Sequence, residues 1–261
     1  MLKFNRVAAL ALAAFATMAC DDTTGPTADG TAVAIRFQTA FAPSASVSLA
    51  GGGAGLTIVG TNGVVTIDGL YMVVAEFEMK RNSSDVCTDI VGMDDDNCEE
   101  WEAGPFFVDV PLDGGSTIVV SQVVPADTYR EIDFEVEDLD ETEEDPADAP
   151  AVEALLADIQ AAFPDWPKDA SIRIEGNFQP TGGDPQPFAV FFEAEIEIER
   201  TLEPPLVVSG DEAQRTISIE LDPSLWFTQG DGTVQDLSVL DGTLVEFQVD
   251  VENGITQVEF D

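Results

Sequence analysis

The chain has 261 residues, 44% of them hydrophobic, enough for one large domain or two small ones with a substantial core. Its formal net charge of −41 comes from 51 acidic and 10 basic residues, which excludes nucleic acid as a partner, because phosphate binding needs clustered Lys and Arg. It has no histidine, which removes Ser-His-Asp and Cys-His nucleophile pairs and every His-ligated zinc, copper or haem site.

Met1 to Ala19 has the three parts of an export signal. Lys3 and Arg6 make a basic start, Val7 to Phe15 is an unbroken apolar run, and Ala16 to Ala19 is mostly small. The run is too short to span a bilayer, which takes about 20 apolar residues. No later segment matches it in length, so the remainder is expected to be soluble. Cys20 follows directly. The segment resembles a bacterial lipoprotein signal, in which the cysteine after the cut is lipidated and becomes the mature N-terminus. Ala19 fits that pattern, whereas Thr17 stands where Leu is usual. An ordinary cut after Ala19 is the alternative. Removing Lys3 and Arg6 with the signal makes the mature chain more negative still, so it would not adhere to anionic headgroups. The membrane partner would then be reached through the N-terminal lipid alone, in the bacterial cell envelope.

The cysteine count agrees with lipidation. Three cysteines in an exported chain leave one over. With Cys20 acylated, Cys87 and Cys98 remain as a pair in "CTDIVGMDDDNC", and an oxidising compartment permits their disulfide. Closing so short a loop contributes roughly 3 kcal/mol in the chain-entropy picture.

Residues 20–30 include the polar "DDTTGPTADG" and read as a flexible tether. From Thr31 the dominant period is two. "TAVAIRFQ", "SVSLA" and "LTIVG" open the series, and "VVTIDGLYMVVAEFEMKR" (64–81) is one long strand or two with a bend at Gly69. "FFVDVPL", "STIVVSQVV" and "TYREIDFEVED" continue it, with Asp113-Gly114-Gly115 as a hairpin signal.

Between 137 and 150 lies an acidic stretch, either a linker or a long surface loop. One amphipathic helix then breaks the strand pattern over about 150–163, where Val152, Leu155, Leu156, Ile159 and Phe163 form a stripe. Asp148 is its expected cap, Pro150 suits its first turn and Pro164 stops it. The helix is expected to cover an edge or end of a sheet. Strands resume in "ASIRIEGNF" and in "FAVFFEAEIEIER" (188–200), where Glu193, Glu195, Glu197 and Glu199 alternate with apolar residues as a solvated sheet face. "RTISIELD" and "TLVEFQVDV" read the same way. The expected fold is an all-β antiparallel sandwich with one inserted helix. Its domain plan is a signal peptide over 1–19, a tether over 20–30 and a sandwich over 31–261, subdivided near 137–150 only if the acidic stretch is a linker.

"VVPADTYREIDFEVED" (123–138) resembles the PAGxY turn-and-strand of transthyretin-like, or prealbumin-like, modules of exported bacterial proteins. Pro125, Ala126 and Tyr129 match, while Asp127 stands in for the turn glycine. The resemblance implies that Tyr129 packs on the core. "IDGLYMVVAEFEM", "GPFFVDVPL" and "IELDPSLWF" are similar to uncharacterised β-rich bacterial lipoproteins. What this implies is fold and location; it brings no catalytic residues.

The stretch around Cys98 gathers Asp94, Asp95, Asp96, Asn97, Glu99 and Glu100. Calcium wants six to eight oxygens, so this loop is the candidate calcium site, with solvated charge as the simpler reading. Trp101, Tyr129, Trp166 and Trp226 are either core packing or a carbohydrate platform. A carboxylate-only glycoside hydrolase is the remaining enzymatic alternative, yet no pattern selects an acid and a nucleophile. The expected function is therefore a non-enzymatic structural, adhesive or binding role without a required cofactor. Calcium or carbohydrate binding is its alternative.

Overall fold

The computed structural model describes residues 30–41, 45–48, 55–81, 100–139, 149–209, 214–246 and 254–260. Cys20, Cys87, Cys98, Asp94, Asp95, Asp96, Asn97 and Glu99 lie outside them, as do the signal segment and most of the acidic stretch. Among the described residues, no helix is long and apolar enough to cross a membrane.

The fold is all-β. In chain order its strands begin with β1 (Gly30–Thr39), β2 (Ala45–Ser48), β3 (Gly55–Val59), β4 (Gly63–Val74) and β5 (Glu76–Arg81). Next come β6 (Glu100–Ala103), β7 (Phe106–Asp109), β8 (Ser116–Pro125) and β9 (Asp127–Val136). Helix α1 (Ala149–Ala162) precedes β10 (Ile172–Pro180), β11 (Gln186–Glu193), β12 (Ile196–Val208) and β13 (Arg215–Leu221). A short helix α2 (Ser224–Phe227) leads to β14 (Leu244–Glu246) and β15 (Ile255–Phe260).

Three sheets result. The first runs β15-β13-β1-β8, the second β14-β11-β10-β4-β3-β2 with β7 also on β4, and the third β12-β9-β5-β6. Most pairs are antiparallel; β1 with β13 and β11 with β14 are parallel. Strands on either side of the acidic 137–150 stretch pair with each other, as β4 does with β10, β9 with β12 and β1 with β13.

The second and third sheets meet at a shared corner. Strands β4 and β5 are separated by Ala75, whose N–H donates to the Glu135 carbonyl at 2.9 Å. Strands β11 and β12 are separated by Ala194 and Glu195, and β6 and β7 by Gly104 and Pro105. A Cβ on Gly104 would collide with the Ala75 carbonyl oxygen, so only glycine lets the two crossing strands approach this closely. Ser171 ties the β11 side of the corner, donating to Phe192 O at 3.2 Å and accepting from Ala194 N at 2.8 Å. Strands that switch sheets by bending in this way build the corners of packed sandwiches.

Alternation decides which face is buried. On β9, Ile132, Phe134 and Val136 point into the core, and on β1 Val33, Ile35 and Phe37 do. One continuous apolar cluster joins all three sheets. Phe37 meets Phe134 edge to face across it, with ring centroids 5.8 Å apart.

Three sequence expectations are corrected here. The long strand over 64–81 breaks at Ala75 rather than Gly69; Gly69 instead sits at a bulge, where the register against β10 skips a residue. Asp113-Gly114-Gly115 does not close a hairpin. It carries the chain from β7 in the second sheet to β8 in the first, with Asp113 Oδ1 accepting from Gly115 N at 2.8 Å. Helix α1 covers a sheet face rather than an edge. Val152 and Ile159, with Leu155, Leu156, Phe163 and Trp166, pack on Val73 of β4 and Phe191 of β11. Where α1 covers it, the second sheet is buried on both sides, which is why Phe191 and Phe192, pointing opposite ways, are both buried.

Candidate functional site

The third sheet turns one face to the core and fills the other with carboxylates. Each of its strands places an acid at alternate positions: Glu76 and Glu78 on β5, Glu100 and Glu102 on β6, Glu131, Asp133 and Glu135 on β9, and Glu197 and Glu199 on β12. Strand pairing sets them in rows. Glu199 stands opposite Asp133, Asp133 opposite Glu78, and Glu78 opposite Glu102. The neighbouring row reads Glu197, Glu135, Glu76, and the one on the other side reads Thr201, Glu131, Lys80, Glu100. Directly opposed side chains in a sheet have Cβ atoms about 5 Å apart, and like charges there destabilise.

Lys80 is the one cation in these rows. Its Nζ lies 3.3 Å from Asp133 Oδ2, 3.5 Å from Glu131 Oε1 and 3.7 Å from Glu78 Oε2. Burial works against the ammonium, but the hydrogen bond and charge of Asp133, joined by Glu78 and Glu131, outweigh it and raise the Lys80 pKa. Asp133 itself is only 4% exposed. Its Oδ1 is buried with no hydrogen-bond partner.

The crowding shows in the carboxyls. Burial, then the charge of Glu100, push Glu78 up to about 7 from an ordinary 4.5, against the pull of Lys80. The charge of Glu131 and a hydrogen bond to it raise Glu199. Oxygens of Glu76, Glu78 and Glu102 all lie within 4.8 Å of one another. Toward the sheet corner the same face dips into an open depression of about 300 Å³ lined by Glu135, Glu137, Glu195, Ile196 and Glu197. Among the described residues, Glu78 is half-buried on the sheet face, with the exposed Glu102 beside it.

Alternation in the sequence puts Glu193, Glu195, Glu197 and Glu199 on one solvated strand face. All four are exposed, but the corner separates Glu193, on the second sheet, from Glu197 and Glu199 on the third. No motif in the sequence sets Glu76, Glu78, Glu102 and Asp133 together. Their signal was present as acid at every second residue in "EFEMK", "EWE" and "EIDFEVE". Only strand pairing shows that these segments are neighbours.

Three of the four candidate platform aromatics are buried. Tyr129 is fully buried and donates its hydroxyl to Pro125 O at 3.1 Å. Trp166 donates Nε1–H to Ala170 O at 3.1 Å beneath α1. Trp226 is 2% exposed and packs with Phe227. Trp101 is half-buried at the core margin.

A second charged group lies beneath the helix. Arg173 lays its guanidinium over the Phe163 ring, 4.6 Å from the centroid, and over Tyr71 and Phe191, each at 5.8 Å. Its Nη1 is 2.6 Å from Glu175 Oε2. The aromatic shelf holds this cation in the packing between α1 and the second sheet.

No family model, curated protein or solved structure matches the chain.

Proposed function

We propose that the protein is an exported bacterial lipoprotein, held at a membrane of the cell envelope through lipid on Cys20. Its β-sandwich has a non-enzymatic structural, adhesive or binding role. The observation that carries this reading is the order of residues 1–22: a basic start, a short apolar run, small residues, a cysteine, then two acids. The polar segment 21–30 gives the sandwich reach away from the anchor. The carboxylate face of the third sheet supports the binding part, because it gathers like charges where sheet stability alone would disfavour them.

Fractionation of cells making the wild type and Cys20→Ala tests the reading. The wild type is expected with membranes, released by detergent but not by high salt. Cys20→Ala is expected among soluble exported proteins. A wild type found free of membranes overturns the anchor.

A further inference from the structure

We propose that β8 is the docking edge for a second copy of this chain, the two β8 strands pairing antiparallel about a two-fold axis.

β8 ends the first sheet, and β1 is its only hydrogen-bonded strand neighbour among the described residues. Its other side therefore offers backbone N–H and C=O groups to an incoming strand. Ser121, Gln122 and Val123 are exposed in succession. Successive side chains point to opposite faces of a strand, so β8 stands clear on both faces there. Ile118 is 60% exposed and Val123 62%, β-branched residues that suit a paired strand better than open water. A bulge at Val119 is the one irregularity in the pairing with β1.

Charge selects the occupant. Proteins blunt exposed edges with charged side chains and proline. Here the edge strand β12 carries Glu197, Glu199 and Glu203 with Pro204 and Pro205. The edges β6, β14 and β15 carry Glu100 and Glu102, Glu246, and Glu259. The ten residues of β8 carry no charge, in a chain with 51 acids. Two copies of formal charge −41 repel wherever acid faces acid. Of the edges longer than four residues, β8 against β8 is the one pairing that brings no carboxylate to the seam. Such a two-fold pairing closes on itself, so it gives a dimer rather than a filament. It joins two four-stranded sheets into one of eight strands. Gly30, where the tether meets the domain, lies opposite Pro125 at one end of β8. Antiparallel copies therefore carry their tethers at opposite ends of the seam, clear of each other.

Sedimentation equilibrium of the exported Cys20→Ala chain tests the proposal without the lipid, so its outcome is independent of the anchor. The chain should show a reversible monomer–dimer equilibrium. The dimer should tighten between about 0.1 M and about 1 M sodium chloride, as screening relieves the repulsion between copies. Ile118→Glu/Val123→Glu should weaken it at least ~10-fold, because like charges then meet across the seam. Gln122→Glu, nearly unchanged in shape, should weaken it in the same direction and decides the question if the double variant fails to fold. Val239→Glu alters a 73% exposed residue in the 237–240 turn beside β11 and should dimerise as the parent does. The proposal is overturned by a monomer at every concentration and salt, by a dimer indifferent to the β8 variants, by loss of the dimer in Val239→Glu, or by assembly beyond dimers.

Discussion

Lys80 sets its ammonium 3.3 Å from Asp133 Oδ2, on a sheet face crowded with carboxylates. Because the lysine is 30% exposed, the pair is worth less than a fully buried one, whose breakage costs about 3–5 kcal/mol. Lys80→Met keeps most of the apolar stem and removes the charge. It should destabilise the protein by about 2 kcal/mol at low salt. Asp133→Asn added to Lys80→Met should recover part of that loss. Urea unfolding of the four-member cycle measures it, and a Lys80→Met variant as stable as wild type would count against a structural role for the ion pair.

Glu78 gives stability a pH dependence of known sign. A carboxyl whose folded pKa lies above its unfolded value holds its proton more tightly when folded, so its contribution is complete below the unfolded pKa and lost as pH rises through the folded one. With Glu78 raised from 4.5 to about 7, that loss falls between those values. The wild type should lose thermal stability across this window. Glu78→Gln, which cannot ionise, should show a flatter profile there. Parallel profiles for the two proteins would show that Glu78 titrates normally.

Trp166 anchors α1 to the second sheet. It is 4% exposed, meets Phe107 and Phe191 edge to face, and donates to Ala170 O. Trp166→Ala should cost about 3–5 kcal/mol, as large aromatic truncations in cores do. Trp166→Phe should cost less, since it keeps a ring and loses the indole donor. Denaturant unfolding is the check; a loss below about 1 kcal/mol for the alanine variant would mean that the helix is not held by this contact.

These elements separate what the sequence shows from what it hides. Alternation in residues 128–138 identifies β9 and its core face, because a period of two has one buried solution in a half-covered sheet. The stripe from Val152 to Phe163 identifies α1 for the same reason at helical period. What alternation cannot show is where a strand changes sheets. Ala75, Ala194 and Glu195 interrupt no pattern, so the residues on either side read as continuous strands. The helix-covered face of the second sheet is hidden too: Phe191 and Val73 look like breaks in the alternation until α1 is seen to cover them. The carboxylate rows depend on the pairing of β5, β6, β9 and β12. Glu78 and Asp133 are 55 residues apart in number yet neighbours in register, and no local signal joins them.

The charge of the whole chain predicts a response to salt. Compaction brings like charges together, and nowhere among the described strands more visibly than on the third sheet. The screening length falls from about 30 Å at 0.01 M to about 3 Å at 1 M salt. The thermal midpoint should therefore rise markedly between 0.02 M and 1 M sodium chloride, less so in a variant with Glu197 and Glu199 changed to Gln. A midpoint indifferent to salt would show that these charges are spread too widely to matter.

The functional reading rests on lipid at Cys20, and the intact mass of the detergent-extracted chain tests that most directly. The account predicts an N-terminus at Cys20 carrying added acyl mass, with residues 1–19 gone. An N-terminus at Cys20 without acyl mass, or a chain that retains residues 1–19, would contradict it.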